Sequence, residues 1–158
     1  MKEVMAKKLY IAYGSNMDTT QMAYRCPTAK LIGTLEIKGY RLLFKGSKSG
    51  SYATIEKEND SLVPVLIWEI TELDERSLDR YEGYPSFYYK ENISISINRE
   101  YKEAMVYIMN KNRPYGNPSL GYYKVIEDAY IKFGFDLRIL EKALGVSISK
   151  GADLDVWS

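Results

Sequence analysis

Two short stretches of the chain carry groups that could do chemistry. Tyr13-Gly14-Ser15-Asn16 stands where an apolar, aromatic run, Leu9-Tyr10-Ile11-Ala12-Tyr13, comes to a stop. A glycine at such a turn lets backbone approach a ligand closely, and successive N–H groups opening a helix make a site for a carboxylate or an oxyanion. The same spacing also serves an ordinary strand-to-helix turn. The second stretch is Leu78-Asp79-Arg80-Tyr81-Glu82-Gly83. Glu82 follows Leu78 by four residues, which puts it on the inward flank of a helix in its last turn. The negative end of the helix dipole and partial burial beside Tyr81 and Tyr84 both raise a carboxyl pKa there. A carboxylate tuned upward suits a general acid or base near neutral pH. The alternative is a solvated glutamate at a frayed helix end.

Other chemistries lack their equipment. The 158 residues include no His, which excludes Ser-His-Asp and Cys-His triads and zinc sites with His ligands. The single Cys26 forms neither an internal disulfide nor a multi-Cys metal site, and without a His it reads as structural. Neither a Walker pattern nor G-x-G-x-x-G occurs, and no metal or organic cofactor is expected. Asp74, Glu75 and Asp79 are expected on the polar face of their helix, and Glu127 with Asp128 on the exposed side of a later one. Lys+Arg 22 against Asp+Glu 21 leaves a net charge of +1, too little to draw nucleic acid or an anionic membrane surface. Lys45 and Lys48 read as a solvated pair in a Gly/Ser-rich loop. No apolar run approaches membrane-spanning length, and Met1 to Lys8 show no signal-peptide core, so a cytoplasmic location is the expectation. The 15 Tyr residues supply packing area and hydroxyls suited to pocket walls.

The elements that must position these residues follow from patterning. The run from Lys8 to Tyr13 reads as a buried strand, followed by a short helix capped by Asp18 and ended by Pro27, with Met22 and Cys26 as an apolar pair. Leu31 to Phe44 reads as one or two strands, Ser51 to Glu56 as another and Val63 to Ile70 as a strongly apolar one, with a flexible connection from Gly46 to Ser51. Thr71 can cap a helix in which Leu73, Ser77, Leu78 and Tyr81 recur, stopped by Gly83 and Pro85. Phe87 to Ile97 and Tyr101 to Met109 read as paired strands about an Asn98-Arg99-Glu100 turn. A helix striped by Leu120, Tyr123, Ile126, Tyr130 and Phe133 ends at Gly134, a second spans about Leu137 to Leu144, and residues 147–158 form a partly ordered tail with Trp157 as the side chain able to dock it. The expectation is one domain over residues 1–158, of α+β class, with a mixed, barrel-like sheet and peripheral helices.

Taken together, the Leu9 to Met17 run and the Leu78 to Gly83 segment resemble the gamma-glutamylcyclotransferase family. Arg25-Cys26-Pro27-Thr28-Ala29, Tyr52-Ala53-Thr54-Ile55, Val65 to Ile70 and Pro118-Ser119-Leu120-Gly121-Tyr122 extend the resemblance over roughly Lys8 to Leu144. It implies release of an amine from a gamma-glutamyl compound with formation of 5-oxoproline, a reaction of glutathione metabolism that needs no cofactor. Carried over, it makes Glu82 the catalytic acid/base. The substrate-binding loop becomes Tyr10, Ile11, Ala12, Tyr13, Gly14 and Ser15, with Asn16 holding the turn and Tyr122 adding a hydroxyl from the late helix. The Y-G-S-N form of the loop implies gamma-glutamyl amino acids rather than intact glutathione. Arg80 and Tyr81 occupy positions that vary in the family and bear on the leaving group. The implied partner is a small molecule, acted on by a monomer or homodimer. Two alternatives stay open: a cyclotransferase for a gamma-glutamyl amine or acylated metabolite, and a binding module without turnover.

Overall fold

The apolar run that reads as a strand, Lys7–Ala12 (β1), lies at the centre of the molecule because both of its edges are taken. It pairs antiparallel with Tyr52–Thr71 (β3) on one side and parallel with Glu100–Met109 (β5) on the other. Lys30–Lys45 (β2) and Tyr88–Ile97 (β4) add antiparallel to the outside, giving a five-stranded mixed sheet of order β2-β3-β1-β5-β4. The computed structural model describes residues 6–155 apart from 48 and 49. Within them the α+β class and the peripheral helices are as expected. The sheet is mixed but open: β2 and β4 are its edges and do not pair, so it does not close into a barrel.

The two strands expected at Ser51 to Glu56 and Val63 to Ile70 are one element of 20 residues. Both halves pair with β2, and the polar interruption appears as a register shift, Lys38 facing Leu62 while Tyr40 faces Lys57. Gly39, with φ +83, turns β2 through that shift. The β4–β5 hairpin turns at Asn98 and Arg99, both with positive φ, which matches the twist of the strands it joins.

Four helices flank the sheet among the described residues: Thr19–Arg25 (α1), Glu72–Glu82 (α2), Leu120–Phe133 (α3) and Leu137–Asp155 (α4). Asp18 caps α1 by accepting from Thr20 and Gln21 N–H, as its position predicts. In α3, Ile126 and Tyr130 are buried but Leu120 is exposed, because the chain is still entering the helix there. Helix α4 does not end near Leu144. Its Ser147 is buried and donates to the Phe44 carbonyl at 2.7 Å, which ties this turn to β2. Trp157 lies outside the described residues. No helix among them is long and apolar enough to cross a membrane.

Two charged groups placed in solvent by the sequence pattern are buried. Lys45 is paired with Glu56 at 2.8 Å and donates to the Lys111 carbonyl; Lys48 lies outside the described residues. Asp74 sits inside a capping box at the start of α2. Its carboxylate accepts from Thr71 N–H at 3.1 Å and from the Thr28 hydroxyl at 2.6 Å, while Thr71 Oγ1 accepts from Asp74 N–H. Thr28 arrives from the segment after α1, a contact that helical periodicity does not encode. Asp74→Ala would strip the cap and leave buried donors unsatisfied. A loss of about 2–3 kcal/mol in chemical denaturation is expected, against almost none for the exposed Glu72.

Candidate active site

Helix α2 ends at Gly83, whose φ of +65 closes the helix with bonds from Gly83 N–H to the Arg80 carbonyl and Tyr84 N–H to the Asp79 carbonyl. Glu82 is therefore the last helical residue, and its position over the sheet depends on how α2 is fastened. The face expected to be merely solvated does the fastening. Glu75 pairs with Lys8 of β1 at 2.8 Å and with Lys90 of β4 at 2.7 Å, and Lys90 also pairs with Asp79 at 2.8 Å. Asp79 accepts from the Tyr107 hydroxyl of β5 at 2.6 Å. Three strands thus hold one face of α2, and these carboxylates are structural rather than solvating.

Beneath the end of α2 is a cavity of about 420 Å³, and Glu82 is the one carboxylate in its lining among the described residues. Tyr10, Ile11, Tyr13, Gly14, Ser15, Asn16 and Tyr122 line it too. Ala12, expected among them, is packed in the core and is absent from the lining, its methyl being too short to reach the cavity that the longer Tyr10 side chain borders. Burial pushes the Glu82 carboxyl up to about 7, against which the Arg25 guanidinium pulls down. Among the described residues nothing hydrogen-bonds that carboxylate.

After β1 the chain makes a single 3-10 turn, Ser15–Met17. Met17 and Asp18 N–H bond back to the Gly14 and Ser15 carbonyls, both at 3.0 Å, whereas the N–H groups of Gly14, Ser15 and Asn16 find no backbone acceptor among the described residues. Those three residues border the cavity. Asn16 locks the turn from both ends: its amide donates to the Tyr10 hydroxyl at 2.9 Å, its side-chain oxygen accepts from Arg25, and its carbonyl accepts from Trp68 Nε1 at 3.1 Å. Arg25 in turn stacks on the Tyr81 ring, 3.5 Å from its centroid, and the Tyr81 hydroxyl meets Ser15 Oγ at 3.0 Å. The turn and the end of α2 are joined by these contacts.

Most phenols around the cavity are occupied. Tyr13 donates to the Tyr107 carbonyl, Tyr88 to the Ala53 carbonyl, and the Tyr122 hydroxyl accepts from Ala53 N–H at 3.0 Å. Burial pushes the Tyr10, Tyr13, Tyr88, Tyr107 and Tyr122 hydroxyls well above their ordinary range, so they stay protonated near neutral pH. That leaves Glu82 as the lining group whose protonation changes near neutrality. Sequence reasoning did not single out Tyr52, Phe87, Tyr88 and Tyr107 as lining residues. Their signal was the excess of tyrosine, which says that a pocket could be walled but not which tyrosines wall it.

The sequence model of the family described as gamma-glutamyl cyclotransferase, AIG2-like, matches residues 10–125. A human protein named gamma-glutamylcyclotransferase is 30% identical over 144 residues, covering 85% of this chain and 76% of the human one. A solved structure named gamma-glutamyl cyclotransferase superposes with a TM-score of 0.73 at 25% identity, over 87% of this chain and 86% of that one. The crystal structure of an uncharacterized human protein gives a TM-score of 0.72 at 26% identity, with the same coverage.

Proposed function

The chain belongs to the gamma-glutamyl cyclotransferase, AIG2-like family, and on that premise we propose that it converts a gamma-glutamyl amino acid to 5-oxoproline and the free amino acid, with Glu82 as general acid/base. The observation that carries this reading is an unpaired carboxylate held near neutrality in the same cavity as three uncommitted backbone N–H groups.

The N–H groups of Gly14 to Asn16 hold an anionic oxygen of the glutamyl moiety. Glu82 accepts a proton from the substrate's alpha-ammonium, and the freed amine attacks its own gamma-carbonyl carbon. As the carbon–nitrogen bond to the leaving group breaks, Glu82 returns the proton to the departing amine. No covalent enzyme intermediate forms. Because attack closes a five-membered ring, folding the substrate is the protein's main task, and good orientation in intramolecular reactions is worth on the order of 7–11 kcal/mol. The Asn16, Arg25 and Tyr81 contacts keep the two halves of the site in register for it.

A test is 5-oxoproline release from a set of gamma-glutamyl amino acids and glutathione, compared with binding of the same compounds by calorimetry. Product from gamma-glutamyl amino acids sustains the proposal. Tight binding with no product over long incubation replaces it with a non-catalytic binding module, and product only from gamma-glutamyl amines moves the substrate to that class. The pH dependence is a second expected result. Glu82 must be ionised to accept a proton, so kcat falls on the acid side with a midpoint of about 7. A profile flat down to the ordinary carboxylate range would take the base role away from Glu82.

A further inference from the structure

Within the cavity lining runs a closed ring of contacts whose two arcs differ in chemistry. Ser15 meets Tyr81 through their hydroxyls at 3.0 Å. Tyr81 leads through Glu82 to Gly83, whose carbonyl accepts from Phe87 N–H at 2.9 Å. Phe87 meets Tyr52 edge-on, ring centroids 6.1 Å apart, and Tyr52 meets Tyr122 edge-on at 5.2 Å. The Tyr122 hydroxyl closes the ring beside Gly14, 3.3 Å from where a Cβ on that glycine would stand. Around this ring the N–H groups of the turn and the Tyr52–Phe87 arc are separated by Glu82 on one side and Tyr122 on the other.

A gamma-glutamyl substrate carries its ammonium and carboxylate at the glutamyl end, which the turn and Glu82 are suited to hold. The other end then extends toward Tyr52 and Phe87. Tyr52 is 44% exposed, so its ring is a wall open to an occupant rather than part of the core. Among the described residues, no charged side chain from that arc lines the cavity. Arg113 lies over the Phe87 ring at 3.9 Å and is absent from the lining, and Arg80, which does line the cavity, lies on the α2 side and reaches Ser77. Flat aromatic rings meeting edge-on leave faces that accept another ring or a broad apolar group and disfavour a carboxylate, which would lose its hydration against their negative faces.

We propose that Tyr52 and Phe87 form a leaving-group subsite that selects gamma-glutamyl donors whose amine bears an aromatic or large apolar side chain over those bearing a small or acidic one. This rests on the cyclotransferase reading and names its substrate class. The test compares gamma-glutamyl-phenylalanine, gamma-glutamyl-alanine and gamma-glutamyl-glutamate as donors for wild type, Tyr52→Leu and Phe87→Leu. The expected result is a kcat/KM about tenfold higher for the phenylalanine donor than for the alanine donor, with the glutamate donor lowest and the gap narrowed in both variants. Equal or better use of the glutamate donor, or a preference untouched by both substitutions, overturns the proposal. Calorimetric binding of the three donors to Glu82→Gln separates this inference from the reaction itself. Should wild type release no 5-oxoproline from any donor, the reaction reading fails; tighter binding of the phenylalanine donor would still sustain the subsite, and equal binding would overturn it.

Discussion

Glu82→Gln is expected to lower 5-oxoproline formation by about 10²–10⁴-fold, the range supplied by a positioned acid/base, with substrate binding largely kept. Glutamine preserves the shape of the side chain and cannot exchange a proton. The same substitution has a predictable effect on stability, which guards against mistaking misfolding for lost chemistry. Glu82 holds its proton more tightly in the folded protein, titrating at about 7 against 4.5 for the ordinary group. Its contribution to stability is therefore fully present below the ordinary value and is lost as pH rises through 7, a swing of roughly 3 kcal/mol. Above neutrality the glutamine variant escapes this cost and should unfold at higher denaturant than wild type. Near pH 4.5 the difference should vanish. Full turnover by a folded Glu82→Gln protein would remove Glu82 from the mechanism.

Gly14→Val is the second large effect. A Cβ at this position would stand 3.3 Å from both the Ala53 Cβ and the Tyr122 hydroxyl, and valine adds two methyl groups beyond it. Overpacking of this kind costs about 1–3 kcal/mol. The catalytic loss should be larger, about a hundredfold in kcat/KM, because the turn that presents the N–H groups must move by a good fraction of an ångström. Circular dichroism and denaturation would show a folded protein. Turnover near the wild-type rate in that protein would show that the turn does not hold the substrate.

How much of this was legible before folding differs from residue to residue. Asp18, Thr71, Gly83 and Gly134 were readable as helix boundaries because capping is settled within a few residues of the cap. The same holds for the β4–β5 hairpin, where the turn residues set the pairing. The continuity of β3 was not readable, since whether a polar interruption ends a strand depends on the partner opposite, here β2. Nor was the burial of Asp74, Lys45 and Ser147, whose partners Thr28, Glu56 and Phe44 come from other elements. The helix reached past Leu144 for the same reason: a side chain found an acceptor on the sheet.

The site divides along the same line. Residue order alone placed a glycine turn after a buried strand and a glutamate at the end of a helix, because both depend on local hydrogen bonding and apolar spacing. Folding decided that they face one cavity, that Ala12 is left out of its lining, and that Glu82 lies where desolvation dominates its titration. It also chose which tyrosines wall that cavity, bringing residues as distant as Tyr52, Phe87 and Tyr122 edge to edge. A pKa and a pocket wall are sums over neighbours in space, and a chain specifies those neighbours only through the whole of its packing.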